Sequence, residues 1–569
     1  MSGTVEHATP QAAALRAWAT ETVPEPGFVA LESAGVVLIY GRDERAIEAG
    51  DVLAPHLDVT VLLRPEAPPR RGETHAFPIA HGRVRTAKGG LGEFELTIDA
   101  FAAEAGRARD GAVSRCDLIL DLSGGAPLFP PGLRDGYLRA DPDSPTAVRD
   151  AIAQAHDLVG QFEKTRYIAF QPSLCAHSRS GIVGCRRCLD LCPAGAITPS
   201  GAHVSIDPVA CAGCGQCAAA CPTGAASYAV PPVDAAMRQL RALLLTYRRE
   251  AGADAVVLVH DGAHGAAVVG ALDLPPNMLP LPVNEITQVG IEMVAAAFAY
   301  GAGALRFLSR GRPRHSIAGL EQTVALADAV LGGLGFGAGR VAVIGEDDPY
   351  ALQDVLAAVP VLAAAPRPSS FLPMGEKRAL MRFALRELHR AAPAPVDVID
   401  LPPGAPFGGV ALETEACTLC LACVSSCPTG ALSADPDRPA LRFTEEACVQ
   451  CGLCQATCPE KVISLVPQLD FRTSAADPRT LKEEEPCECL RCGKKFGVAS
   501  TIARVTAKLA QHWMYRDQPW RLDLIRMCDN CRAGAVAAAE FDPHAKPRAP
   551  VRTTEDYMRE RAAAADPPC

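Results

Sequence analysis

Between residues 31 and 64 the chain alternates in character. GVVLIYG (35–41) is an apolar run, RDERAIEAGDVLAPHL spaces its apolar residues as a helix does, and DVTVLLR is apolar again. That order predicts strand, helix, strand, one βα unit of a parallel sheet. A further strand is expected over CDLILDLSG (116–124), with Cys116 a small core residue inside it. A helix is expected over AIAQAHDLVGQFE (151–163). Later, DAAMRQLRALLLTYRREAG (234–252) has helical periodicity and is followed by the apolar ADAVVLVH. LPLPVNEI, TQVGIEMVAAAFAYGAG, ALRFL, a helix over 316–332 and RVAVIGED (340–347) then alternate strand with helix. The pattern predicts a small doubly wound domain over roughly 250–400, a parallel sheet covered by helices. The proline-rich PAPVDVIDLPPGAPFGG (393–409) reads as a linker.

Two glycine-rich stretches resemble nucleotide loops and fail on context. GGLGFGAG (332–339) follows a helix and precedes a strand, whereas a phosphate-binding turn follows a strand and opens a helix. It reads as a helix-terminating loop. The turn after GVVLIYG is correctly placed, but it lacks the second and third glycines, and Asp43 and Glu44 would repel a pyrophosphate. Residues 1–170 therefore read as an α/β domain of degenerate nucleotide-binding type.

The length of 569 residues suggests about four domains. A net charge of −10 without a basic patch argues against nucleic acid as a partner. The N-terminus lacks a basic start with an apolar core, so no secretory signal is expected. The most apolar segment, 293–308, contains Arg306 and is too short to span a bilayer. A cytoplasmic protein without a membrane span is expected. There are 23 cysteines. All but Cys116 and Cys569 fall in three compact groups, and such clustering in a large reduced-compartment chain signals metal binding rather than disulfides.

The second group is the clearest. Cys417, Cys420, Cys423 and Cys427-Pro follow C-x2-C-x2-C-x3-C-P, and Cys448, Cys451, Cys454 and Cys458-Pro repeat it. In two-cluster ferredoxins the fourth cysteine of each run ligates the other cluster. One [4Fe–4S] cluster is then assigned to Cys417, Cys420, Cys423 and Cys458, and its neighbour to Cys448, Cys451, Cys454 and Cys427. In the first group Cys211, Cys214, Cys217 and Cys221-Pro match the same template, and Cys185, Cys188 and Cys192-Pro supply three positions of a partner run. The crossing rule joins Cys192 to Cys211, Cys214 and Cys217. It joins Cys221 to Cys185 and Cys188, one ligand short. Cys175 is the cysteine at hand to complete that set, across the nine-residue insertion AHSRSGIVG. The alternatives are a three-cysteine [3Fe–4S] cluster or ligation by His177. In the third group Cys489, Cys492, Cys528 and Cys531 form two CxxC pairs around a helix expected over STIARVTAKLAQHWMY. Four thiolates with no open position suit structural Zn²⁺. Cys487 leaves a [2Fe–2S] or rubredoxin-like iron site as the alternative, and Cys569 reads as a free thiol in a polar tail.

CAHSRSG…GCRRCLDLCP, CAGCGQCAAACPTGA, the FEKTRY lead-in (162–167) and the C-terminal CECLRCGKKF…MCDNC resemble one bacterial family. These are the large cytoplasmic 4Fe–4S ferredoxin-type proteins that accompany molybdenum formate dehydrogenases. The resemblance implies electron transfer with a redox partner such as a formate dehydrogenase. The 250–345 region is similar to the small iron–sulfur subunit of methyl-viologen-reducing hydrogenases, without its cysteines.

The expected architecture is α/β plus ferredoxin-like modules. It comprises an α/β domain (1–170), a dicluster module (171–230), a doubly wound α/β domain (231–400), a second dicluster module (401–470), a zinc-knuckle domain (480–545) and a tail (546–569). The expected function is a multi-cluster electron-transfer protein with four [4Fe–4S] clusters and Zn²⁺, more an electron-transfer subunit than a stand-alone catalyst. A flavin- or nucleotide-dependent oxidoreductase subunit and a maturation or scaffold factor are the alternatives. Local charge is +1 over 171–230 and −4 over 411–467. Since negative charge disfavours a reduced cluster, the second module is expected to have the lower average potential.

Overall fold

The structure is a computed structural model. It describes residues 9–66, 75–103, 107–252, 254–435, 438–516, 520–538 and 553–565. The chain forms two compact units. The larger comprises residues 1–413, 422–433 and 443–479, and the smaller comprises 414–421, 434–442 and 480–569.

The larger unit contains two α/β layers. Its first sheet has seven strands, in the order Ala112–Cys116, Phe94–Ala103, Ile79–Lys88, Asp58–Leu63, Val36–Gly41, Leu118–Leu122 and Tyr137–Arg139. The five strands from Ile79–Lys88 to Tyr137–Arg139 run parallel, and the first two are antiparallel additions. The sheet is therefore mixed where a parallel one was expected. Alternate residues serve opposite faces. Val37 and Ile39 pack with Ala46, Ile47, Leu53, Ala151 and Ala155 from the helices Glu44–Leu53 and Pro145–Asp157, while Leu38 and Tyr40 join Phe94, Leu96, Ile98 and Phe129.

Two expected elements shift. The strand at 116–124 is two strands, Ala112–Cys116 and Leu118–Leu122, and Cys116 is buried at the end of the first. The helix at 151–163 runs instead over Pro145–Asp157. Ser144 caps it by accepting from the Ala147 N–H, and Pro145 occupies the first turn. Gly160–Thr165 is a strand, antiparallel to Phe28–Ser33.

The second sheet is fully parallel, in the order Met278–Val283, Ala255–Asp261, Ala302–Ser309, Val341–Gly345. Helices Val233–Ala251, Ile291–Ala299, Ala318–Gly333 and Lys377–Ala391 contribute to its main core. Helix Pro10–Thr20 also contributes, through Ala14, and Gln11 Nε2 donates to Met278 O at 2.6 Å. The glycine-rich 332–339 stretch ends one helix and leads into the last strand, as its context predicts.

The smaller unit holds an antiparallel pair, Pro486–Glu488 with Lys495–Val498, and helices Ala499–Ala510, Trp513–Arg516, Trp520–Ile525, Asp529–Ala538 and Thr554–Ala565. Among the described residues no helix is long and apolar enough to cross a membrane. Cys569 lies outside the described residues.

Candidate iron–sulfur and metal sites

Each C-x3-C spacing lies on a single helical turn. Arg187–Leu191 carries Cys188, Gln216–Ala220 carries Cys217, Ala422–Ser426 carries Cys423 and Leu453–Thr457 carries Cys454. The cysteine after the turn is extended, with ψ of 104° at Cys192, 114° at Cys221 and 114° at Cys458. The following proline disfavours the helical conformation there, so the helix stops and the thiol leaves its axis. At three of these turns the backbone aims amides at sulfur. The N–H groups of Arg187, Gly213, Gln216, Gln450 and Leu453 donate to Cys185, Cys211, Cys214, Cys448 and Cys451. Cys192 Sγ accepts from the Ala196 N–H at 3.3 Å, and Cys221 Sγ from Ala226 at 3.4 Å.

The lengthened first run closes on itself. Ser178–Arg179 pairs antiparallel with Ile182–Val183, so AHSRSGIVG is a hairpin arm. The Gly184 N–H donates to His177 O at 2.7 Å, and the Cys185 N–H donates to Ala176 O at 3.1 Å. The arm's two ends therefore meet. Cys175, Cys185, Cys188 and Cys221 line one mainly apolar cavity with His177, and His177 Nδ1 lies 3.0 Å from Cys185 O. Burial, followed by the neighbouring thiols of Cys221, Cys185 and Cys175, pushes the Cys188 thiol up to about 12.

Burial, then Cys214, Cys211 and Cys192, and more weakly Cys188, drive the Cys217 thiol well above its ordinary value. In the second module Cys454 is pushed up to about 12 by burial, then by Cys448, Cys451, Cys427 and Cys423. Cys423 and Cys458 belong to the larger unit and Cys417 and Cys420 to the smaller. Within the latter, Lys482 Nζ donates to the carbonyls of Thr414 (2.7 Å) and Cys417 (2.5 Å).

Sulfurs crowded in a low-dielectric site can ionise together only beside a compensating cation. The crowded thiols, the cavity and the amide donors to sulfur fit [4Fe–4S] clusters. The turn before helix Glu44–Leu53 offers no comparable fit to a nucleotide. The Asp43 carboxylate itself caps that helix, accepting from the Arg45 N–H at 3.1 Å.

In the smaller unit the Sγ atoms of Cys489, Cys492, Cys528 and Cys531 all lie within 4.8 Å of one another. Cys492 and Cys528 are 3.7 Å apart, and Cys489 Sγ accepts from the Cys528 N–H at 3.3 Å. That amide holds the Cys489 thiol down to about 6, while hydrogen bonding to Cys492 pushes Cys531 up to about 12. A tetrahedral thiolate site with metal–sulfur bonds of about 2.3 Å has sulfurs about 3.8 Å apart, so the group fits one metal ion. Cys487, on the adjoining strand, is outside this group, with its Sγ 3.8 Å from Glu488 O. The helix expected over STIARVTAKLAQHWMY is Ala499–Ala510, with a separate turn at Trp513–Arg516.

Sequence reading missed the polar side chains that serve these loops. Lys377 and Arg378 begin helix Lys377–Ala391, and Gln450 Nε2 donates to Gly409 O (2.8 Å) and toward Cys448 Sγ (3.5 Å). The amphipathic spacing of KRALMRFALRELHRA could have revealed the helix, but not the loops it touches.

Two segments, 183–225 and 416–462, match the 4Fe-4S dicluster domain family. The chain thus carries two ferredoxin-type iron–sulfur modules. The first match begins after Cys175, so the family pattern does not extend to the arm's first cysteine. Comparison with curated proteins gave no match.

Proposed function

We propose that this protein is a multi-cluster electron carrier, passing single electrons between a redox enzyme and an acceptor. Four sites would hold [4Fe–4S] clusters: Cys175, Cys185, Cys188 and Cys221; Cys192, Cys211, Cys214 and Cys217; Cys427, Cys448, Cys451 and Cys454; and Cys417, Cys420, Cys423 and Cys458. A bound cluster of this kind takes up and releases one electron. The chain's own part is to fix the thiolates on helical turns, donate amides to sulfur and exclude water from the first module's cavity. Cys489, Cys492, Cys528 and Cys531 would hold a structural Zn²⁺. The resemblance to proteins that accompany formate dehydrogenases makes such an enzyme the candidate partner.

The observation that carries the reading is the convergence of Cys175, Cys185, Cys188 and Cys221 on one cavity. It supports Cys175 as the ligand that the Cys185, Cys188 and Cys221 set lacks. Anaerobic iron and sulfide analysis with EPR tests it. About sixteen irons per chain are expected, four in each of four clusters, with signals that a low-potential donor reduces. A fully loaded protein with about eight irons, or iron that no donor reduces, would defeat it.

A further inference from the structure

Two consecutive residues bind the two modules. Lys377, only 3% exposed, donates from Nζ to the carbonyls of Ala219 and Cys221, each at 3.1 Å, and lies 3.7 Å from the buried Glu292 carboxylate. Arg378 donates to Cys448 O at 2.9 Å and sits 4.9 Å over the Phe407 ring. Neighbouring Cα atoms are about 3.8 Å apart, so one step of backbone is tied to a ligand loop of each module.

A second tie runs the other way. Arg187, between Cys185 and Cys188, donates to the carbonyls of Val449 (3.3 Å), Gly404 (3.0 Å) and Ala405 (3.1 Å). Val449 lies between Cys448 and Cys451. The hairpin arm adds a third contact. A Cβ at Gly184 would stand 2.5 Å from Leu453 Cγ, so only glycine lets the arm seat on the helix that carries Cys454. The Cys185 thiol feels the charge of Cys451, and Arg378 feels Cys448, Arg187 and Cys221.

Resting on the reading that both sets hold clusters, we propose that the Cys175/Cys185/Cys188/Cys221 set and the Cys427/Cys448/Cys451/Cys454 set form one latched, electrostatically coupled pair, with Arg187 and Arg378 as its positioning cations. A fixed positive charge facing both sets stabilises added negative charge at each. The two dicluster modules then act as one four-site array rather than two independent carriers. The lengthened arm reaches the second module at Gly184, alongside the Arg187 tie.

The test uses the full chain, loaded anaerobically. Iron and sulfide come first, because a protein that takes up no clusters fails the underlying reading rather than this one. In loaded Arg378→Gln, two of the four midpoint potentials are expected to fall together, one in each module as assigned by ligand variants. Arg378→Lys, which keeps the charge, is expected to restore both. A shift confined to one potential, or none, at unchanged iron content overturns the proposal. If Arg378→Gln does not load, hydrogen exchange on the unsubstituted loaded protein decides. Segments 182–191 and 449–457 are expected to open together with equal protection, and independent opening overturns the proposal.

Discussion

The two ferredoxin-type modules present the same thiol template on different supports. The first has an irregular sequence, with nine residues where two are usual, and closes that gap with a hydrogen-bonded hairpin. The second has regular spacing, and its Cys448 loop is held by distant side chains, Arg378 on Cys448 O and Gln450 on Gly409 O. Spacing alone is therefore a poor guide to how a site is held. The charges teach the same lesson. The second module's own segment carries −4, but Glu446 pairs with Arg382 and Arg386, Glu445 with Arg479, and Arg378 binds Cys448 O. These four cations come from outside the charged window, and Arg378 faces the first module as well. The order of the two modules' potentials therefore rests on more than local charge, and a potentiometric EPR titration with modules assigned by ligand variants decides it.

The largest effect that separates the modules is expected at the arm. Cys175→Ala should cost the loaded protein either one iron, leaving a [3Fe–4S] centre, or the whole four-iron cluster. The second module's signals should stay unchanged. Iron analysis with EPR reads this directly, and four intact cubanes would return the ligand role to His177 or to an external group. The next effect contrasts both modules with the Cys489 tetrad. Cys528→Ser should abolish binding of one metal ion and open segment 486–538 to protease. Structural zinc sites of this kind contribute on the order of 10 kcal/mol at neutral pH. Cluster iron should remain at its full value, and Cys487→Ser should change neither metal. Loss of tetrad metal in Cys487→Ser would show that Cys487 ligates the ion in place of one of the four.

Much of this was legible in the sequence, for local reasons. The C-x2-C-x2-C-x3-C-P run sets a turn, a helical turn and an extended residue before proline, all within a dozen residues. The strands at 36–41 and 58–63 and the parallel sheet from 255 to 345 are continuous apolar runs, which burial on both faces requires. Other features depended on distant partners. FELTIDAF alternates as a half-buried strand does, but its antiparallel pairing with Ile79–Lys88 on one side and Ala112–Cys116 on the other depends on distant residues. Gly160–Thr165 looks like helix until Phe28–Ser33 is beside it. Lys377 and Arg378 precede the Cys448 loop by some seventy residues and follow Cys221 by more than a hundred and fifty. No local period could tie them to either site.

The smallest expected effect concerns one equivalent position in the two modules. The second intervening residue is Gly213 in CAGC and Gln450 in CVQC, and both are left-handed, with φ of 78° and 51°. An L-residue there costs roughly 1–2 kcal/mol, so the second module stores strain that the first avoids. Gln450 offsets it through its bond to Gly409 O, a contact of about 1 kcal/mol. Gln450→Gly should therefore leave unfolding free energy within about 1 kcal/mol of the original, the relieved strain cancelling the lost bond. It also removes the side-chain N–H directed at Cys448 Sγ, so that site's potential should fall slightly. The reverse exchange is not neutral, because a Cβ at Gly213 would lie 2.9 Å from Tyr167 ring carbons. Gly213→Ala should destabilise the first module far more than Gln450→Gly affects the second. Equal and small losses in denaturant titrations of the two variants would show that the tight packing of Tyr167 yields, and that the two supports differ less than their geometry indicates.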